Sequence, residues 1–184
     1  MPEIISQIGP LFYPLLAFSL LGMIFIIERA MFFSRLPQLE EAKSYKALVK
    51  ELKDNASLAK PVRDELISYR LVDLKAKLEN GIHFLRIIAV LSPMLGLLGT
   101  VMGMIKAFKD IAGQEGAIAP SMIADGLWSA MLTTAYGLII ALPCLFAAFV
   151  FARMAEKRLE RFQKVLNAQS LKIEGAQLGE DVSL

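Results

Sequence analysis

Charged positions in this chain are gathered into blocks, and long runs are free of them. Residues 4–27, 87–105 and 126–152 hold no Asp, Glu, Lys or Arg over 24, 19 and 27 positions. About 20 apolar residues cross the hydrocarbon core as a helix. In lipid only a helix or a closed barrel satisfies the backbone. The pattern therefore predicts an all-α integral membrane protein with three transmembrane helices. The first run closes at IIERAMFF, where Glu28 and Arg29 mark the cytoplasmic interface. Pro10 and Pro14 fall in its outer part and are expected to kink or delay the helix. Few small residues follow Gly22, which suits a lipid-facing position. A cleaved leader would need a basic start and a shorter apolar core. No Lys or Arg precedes Arg29 and the run is long, so this segment is expected to remain as a span.

The polar blocks are periodic too. Leu39, Ala42, Leu48 and Leu52 come close to helical spacing, with charges between them. Asn55-Ala56-Ser57 reads as a break, and Pro61 suits the first turn of another helix, along which Val62, Leu66, Tyr69, Leu74 and Leu78 form a looser stripe. Asn80-Gly81 has the chemistry of a helix stop. The apolar pattern nevertheless runs on through Ile82, Leu85 and Ile88, so a continuous helix with a soft point is expected. Gly113, Gly116 and Pro120 supply turn chemistry between the second and third spans. Beyond the third span, helical spacing continues through Leu159, Phe162 and Leu166, and after Gly175 the chain is expected to be loose. The resulting division is a first span and interface (1–33), a cytoplasmic helical loop (34–82), a second span (83–109), a periplasmic loop (110–119), a third span with a cytoplasmic extension (120–172) and a flexible tail (173–184). Spans two and three both extend into the cytoplasm on this reading.

Composition changes the picture mainly through where charge lies. The hydrophobic fraction is 55% and the mean hydropathy +0.52, high for a soluble domain. Twelve Lys and Arg lie in 28–86 and six in 153–184, against two in 106–125 and none before Arg29. The excess of basic residues beside cytoplasmic ends places the N-terminus outside and the long loop and tail in the cytoplasm. The single cysteine, Cys144, excludes an intrachain disulfide and reads as a small apolar packing residue.

Soluble-enzyme signatures are absent. His83 is the only histidine, so one chain assembles neither a zinc site nor a Ser/His/Asp triad. Gly96-Leu97-Leu98-Gly99 lacks the lysine of a phosphate-binding loop. The basic tail alternates with Glu156 and Glu160 and reads as a solvated face, with no nucleic acid bound. No catalytic residue, metal site or cofactor is expected.

What remains is a set of small and polar residues at membrane depth. Ser92, Gly96, Gly99, Thr100 and Gly103 recur at three- and four-residue steps in span two; Thr133, Thr134, Gly137, Ala141, Cys144, Ala148 and Ala152 do the same in span three. Asp125, Ser129 and Thr133, each four apart, form a short polar ladder from the outer surface. Such stripes let helices approach closely, which by itself accounts for them. The other reading is that the hydroxyls line an ion path, since a hydroxyl both donates and accepts. A proton path also needs an acid. No acid stands at mid-depth here, which suggests that a partner brings it.

LENGIHFLRIIAVLSPMLGLLGTVMGMIKAF closely resembles the span-two signature of the ExbB/TolQ/MotA proton-channel family, SAMLTTAYGLIIALP its span-three signature, and IIERAMFF the Glu-Arg pair closing span one. The three-span plan resembles ExbB and TolQ more than four-span MotA. The resemblance implies a pentameric ring enclosing a pair of single-span partner helices of the ExbD/TolR kind. The partner's membrane aspartate would take up and release protons, and the motor would act in the bacterial inner membrane on an envelope target such as a TonB-like effector. The family's ring threonines fall on Thr100 and Thr134. Many relatives carry a glutamate five residues before the second threonine; Ser129 stands there here, with Asp125 one turn outward. Thr133 is an extra hydroxyl, and Tyr136 replaces an aliphatic residue. Pro93 would bend span two, and Gly96, Gly99, Gly103 and Gly137 would keep the ring close-packed. A non-motor scaffold and a sodium-coupled, stator-like channel subunit are the alternatives on the residues alone.

Overall fold

The computed structural model describes residues 9–36, 43–113 and 120–175. Those residues form a short 3-10 turn, Gly9–Leu11, and five α-helices: α1 (Phe12–Ser34), α2 (Lys43–Asp54), α3 (Lys60–Glu79), α4 (Ile82–Ala112) and α5 (Pro120–Ile173). No strand occurs among the described residues. Leu39, Ala42, Gly116 and the tail beyond Gly175 lie outside them, as does the side chain of Asp125. Gly9–Ser34, Ile82–Ala112 and Gly126–Ile173 are each long and apolar enough to cross a membrane. The delay expected from Pro10 takes the form of the 3-10 turn, and Pro14 falls in the first turn of α1, where a missing N–H is tolerated. At 54 residues, α5 has many turns more than the bilayer needs.

The chain divides into two compact units. The first comprises Met1–Glu28 and Gly81–Phe149; the second, Arg29–Asn80 and Val150–Leu184.

In the first unit α4 and α5 are antiparallel and joined along a seam of small residues. Its register pairs Ser92 with Gly137, Gly96 with Thr134, Gly99 with Thr133, Gly103 with Ala130 and Ala107 with Gly126. A Cβ added at Gly96 would stand 2.9 Å from Thr134 Cα, one at Gly103 3.0 Å from Ala130 Cβ, and one at Gly137 2.6 Å from the Ser92 carbonyl oxygen. Three of these neighbours are backbone or Cβ atoms that cannot swing aside. The glycines are therefore required by proximity, not by backbone angle, and their helix-weakening tendency is offset by contact. Further along α5, Cys144 is buried against α1, where a Cβ on Gly22 would meet its Sγ at 2.6 Å. Phe25 of α1 stacks on Phe84 of α4 at 5.0 Å. The outer faces stay apolar and bare: Phe146 and Phe149 are 71% and 72% exposed, and Val90, Met94, Leu97, Ile139 and Leu142 are exposed as well. A surface of this kind fits hydrocarbon or neighbouring apolar helices.

The second unit is held together as soluble proteins are. Leu52, Ile67, Leu71, Phe162 and Leu166 form its core, flanked by Leu48, Val49, Leu74, Leu159 and Ile173. The stripe read from the sequence of α3 holds in part: Leu78 is buried, Leu74 packs on the core and Leu66 is half-buried. Val62 and Tyr69 are exposed, and Arg63, Ile67 and Leu71 are buried instead. Arg63 is only 2% exposed, and its guanidinium is paired as a buried charge must be. Its Nη1 donates to the carbonyls of Ala56 and Leu58 at 3.1 and 2.6 Å, and its Nη2 pairs with Glu174. It thus closes the turn between α2 and α3. Arg70 bridges to Glu51 of α2 at 2.8 Å, and that bond raises the Arg70 pKa; the pair is exposed and adds little. Phe33 stacks on Phe151 at 5.6 Å.

The expected continuity across Asn80-Gly81 is not found. Asn80 leaves helical geometry with ψ 143°, and Gly81 takes φ +74°, a left-handed value that glycine adopts without strain. The Asn80 N–H bonds Ala76 O to close α3, and the Leu85 N–H bonds Gly81 O to open α4. Apolar periodicity carries on through the break because Ile82, Leu85 and Ile88 are buried in α4 in their own right.

Three substitutions test these accounts. Gly137→Ala must displace a backbone carbonyl and is expected to lower stability in detergent by about 1–3 kcal/mol. Gly113→Ala, whose Cβ would meet nothing nearer than 3.6 Å, should leave the thermal midpoint unchanged. Leu166→Ala, at a side chain with no exposure, is expected to cost about 2–5 kcal/mol in the same melting assay.

Candidate functional site

Helix α4 presents Ser92, Gly96 and Gly99 to the seam because they recur every three or four residues on one face. Helix α5 answers with Thr133, Thr134 and Gly137, and the absent side chains let hydroxyls reach carbonyls across the gap. The Thr134 Oγ1 donates to Gly96 O at 3.0 Å. The Thr133 Oγ1 donates to Ala130 O on its own helix at 2.7 Å and, more weakly, leans toward the same Gly96 O at 3.4 Å. Ser92 is fully buried and returns its hydroxyl to Ile88 O at 2.7 Å.

Thr133, Thr134, Gly96, Gly99 and Gly137 are thus gathered at one level of the seam. Thr133 is 2% exposed and wedged against Gly99, so its side chain fills the join. Thr134 is half-buried, and its hydroxyl lies at the margin of the seam. Thr100 stays on its own helix, donating to Leu97 O at 2.7 Å from a more open position. Gly103 packs on Ala130 further along. Ser129 is half-buried one turn from Thr133. Asp125 lies on α5 four residues before Ser129, and its side chain is outside the described residues. Pro93 sits within α4 beside Ser92 and cannot donate to the carbonyl four residues before it. No cluster of metal-binding side chains occurs among the described residues.

The Glu-Arg pair of the first span splits by burial. Glu28 is half-buried, whereas Arg29 is buried, with its guanidinium 4.7 Å from the Phe32 ring centre and Nη1 at 3.5 Å from Leu78 O. Leu78 is in the last turn of α3, where unpaired carbonyls favour a cation. Sequence reasoning missed two participants. The Gly96 carbonyl is the common acceptor of the seam, yet backbone oxygens leave no mark on a residue pattern. Gly22 owes its place to Cys144, a pairing that only the three-dimensional register reveals.

Chemically, the site holds hydroxyls and backbone dipoles in apolar surroundings. Such groups can pass or solvate a proton or small cation, and among the described side chains of the seam none stores charge.

Comparison with known proteins bears on the family. Residues 37–164 match the model of the MotA/TolQ/ExbB proton channel family. Biopolymer transport protein exbB1 of Vibrio cholerae is 39% identical over 125 residues, covering 68% of this chain and 55% of that protein. An ExbB-like putative biopolymer transport protein of Synechocystis is 28% identical over 85% of this chain and 72% of its own length. The Tol-Pal system protein TolQ of Haemophilus influenzae is 41% identical over 70 residues, covering 38% of this chain and 30% of TolQ. The chain thus spans little more than half the length of the exbB1 protein. Three apolar helices, a small-residue seam with its hydroxyls at membrane depth, and a family match over more than two-thirds of the sequence lead to one conclusion: the chain belongs to the MotA/TolQ/ExbB proton channel family.

Proposed function

We propose that this chain is a subunit of a proton-motive-force-driven motor of the ExbB/TolQ kind in the bacterial inner membrane, with its N-terminus periplasmic and its C-terminus cytoplasmic. Copies of the chain, five by family resemblance, ring a pair of single-span partners of the ExbD/TolR kind. The partner supplies the membrane aspartate that this chain lacks. Work is delivered to an envelope process, through a TonB-like or other effector. The protein is not an enzyme and uses no metal or cofactor.

The observation that carries the reading is the pair of accessible hydroxyls, Thr100 and Thr134, set in runs free of charged residues. Such a hydroxyl eases the passage of a charge past hydrocarbon without itself becoming charged. Ser129 and Asp125 stand outward of Thr134 along α5 and shape the entry. Thr133, sealed in the seam, supports the path from behind. Each charge crossing 100 mV releases about 2.3 kcal/mol, so a mechanical step of any size draws on several.

A second reading has its own support. Gly96, Gly99, Gly103 and Gly137 are all engaged within one chain, so packing alone accounts for them. A scaffold of that kind assembles without a proton-carrying partner and is indifferent to protonophore.

Thr134→Val separates the two. The chain is co-expressed with its single-span partner and reconstituted into vesicles. Losing the hydroxyl's hydrogen bond to the partner's acid, worth about 0.5–1.5 kcal/mol, should then slow protonophore-sensitive proton uptake by about two- to tenfold. Co-purification of the complex should be unchanged. Full uptake in the variant would falsify the relay role.

A further inference from the structure

A helical threonine ordinarily returns its hydroxyl to a carbonyl three or four residues back. Thr100 and Thr133 do so, to Leu97 O and Ala130 O. Thr134 does not: its hydroxyl crosses the seam to Gly96 O. The bond requires glycine at 96, because any Cβ there would stand 2.9 Å from Thr134 Cα and hold the helices apart.

A hydroxyl carries one hydrogen and two lone pairs. Once the hydrogen is committed to Gly96 O, Thr134 has only acceptor capacity left for anything arriving at its half-buried face. Thr100 is in the same state, its hydrogen given to Leu97 O. We infer that the Gly96 carbonyl fixes Thr134 as a hydrogen-bond acceptor, so that the site receives a protonated carboxylic acid in preference to a carboxylate. The inference rests on the proposed function, in which a partner's acid passes these hydroxyls.

The chemistry follows from donor and acceptor matching. A carboxylate only accepts, so against Thr134 lone pair meets lone pair. A carboxylic acid donates its O–H and matches. Bonding to the neutral form disfavours ionisation and raises the acid's pKa. The neutral, proton-loaded acid therefore persists to higher pH at this site than in lipid alone. No charged residue within the apolar runs reverses the sign, and Asp125, nine positions before Thr134, lies outside them. The apolar runs of α1, α4 and α5 contain no Asp, Glu, Lys, Arg or His, and their titratable groups are Tyr13, Tyr136 and Cys144. Cys144 is buried on the α1 side, against Gly22. The hydroxyl of Thr133 is likewise committed, to Ala130 O.

The test uses a single-span polyleucine peptide with one central aspartate, carboxyl-labelled with carbon-13. The peptide is reconstituted with the full chain in phosphatidylcholine vesicles, and the carboxyl resonance is titrated with pH. The midpoint should lie about one unit above that of the peptide alone in the same vesicles. Thr134→Val should return it toward the peptide-alone value, and Thr134→Ser, which keeps the hydroxyl, should hold the shift. A bound peptide whose midpoint is at or below the peptide-alone value overturns the inference and leaves the proposed function standing. A peptide that does not co-purify with the chain overturns both. A midpoint that moves when sodium replaces choline assigns the lone pairs to a bare cation and overturns the acid.

Discussion

Two helices in lipid approach only as far as their side chains permit, and between α4 and α5 those side chains are largely missing. Lipid offers no hydrophobic drive for association, so contact rests on van der Waals packing and on hydrogen bonds between helices. Both grow with proximity. At Gly96 the backbones are close enough that Thr134 bonds the facing carbonyl at 3.0 Å, and at Gly137 a methyl group would strike Ser92 O. Packing and the placement of the hydroxyl are therefore a single feature. The glycines that hold the helices together also aim the polar group, and a change in one is a change in the other.

The second unit obeys a different rule. Its core of Leu52, Ile67, Leu71, Phe162 and Leu166 is the kind that water enforces by exclusion. Within it the buried guanidinium of Arg63 is held by two carbonyls and Glu174. Arg63 Nε has no hydrogen-bond partner in the structure, so the desolvation of this group is only partly offset. A buried charge that stays in place does so because several partners fix it at once. Arg63 thereby specifies the geometry of the α2–α3 turn more than it stabilises the fold.

The division between what the sequence discloses and what it hides follows the same physics. Three charge-free runs give three spans because lipid forbids unpaired charge, a constraint every residue in the run must satisfy. The spacing of Gly96, Gly99 and Gly103 discloses a close-packed face for a similar reason. Which residue lies opposite is a matter of register between distant segments, and nothing local encodes it; the pairing of Gly96 with Thr134 and of Gly22 with Cys144 belongs to that class. The break at Gly81 was masked by apolar residues that belong to the next helix, since side-chain periodicity is blind to a single backbone angle. The carbonyls that Arg63 bonds, those of Ala56 and Leu58, likewise leave no mark on the residue pattern.

The absence of an acid from the apolar runs has a physical consequence for how the chain reaches its folded state. A carboxylate at mid-depth costs about 2.5–3.5 kcal/mol on insertion, a charge that each copy of a multi-subunit assembly would bear. Thr100, Thr133 and Thr134 avoid it, since each hydroxyl meets its hydrogen-bonding need with a carbonyl in the same chain. The chain can therefore enter the bilayer with its site already formed and electrically neutral. The apolar runs lack charge, and on the proposed function a partner would bring it only where the path is complete. On the proposed function, hydroxyls on the chain and an acid on the partner would keep conduction tied to assembly, since neither half alone both holds a proton and solvates it.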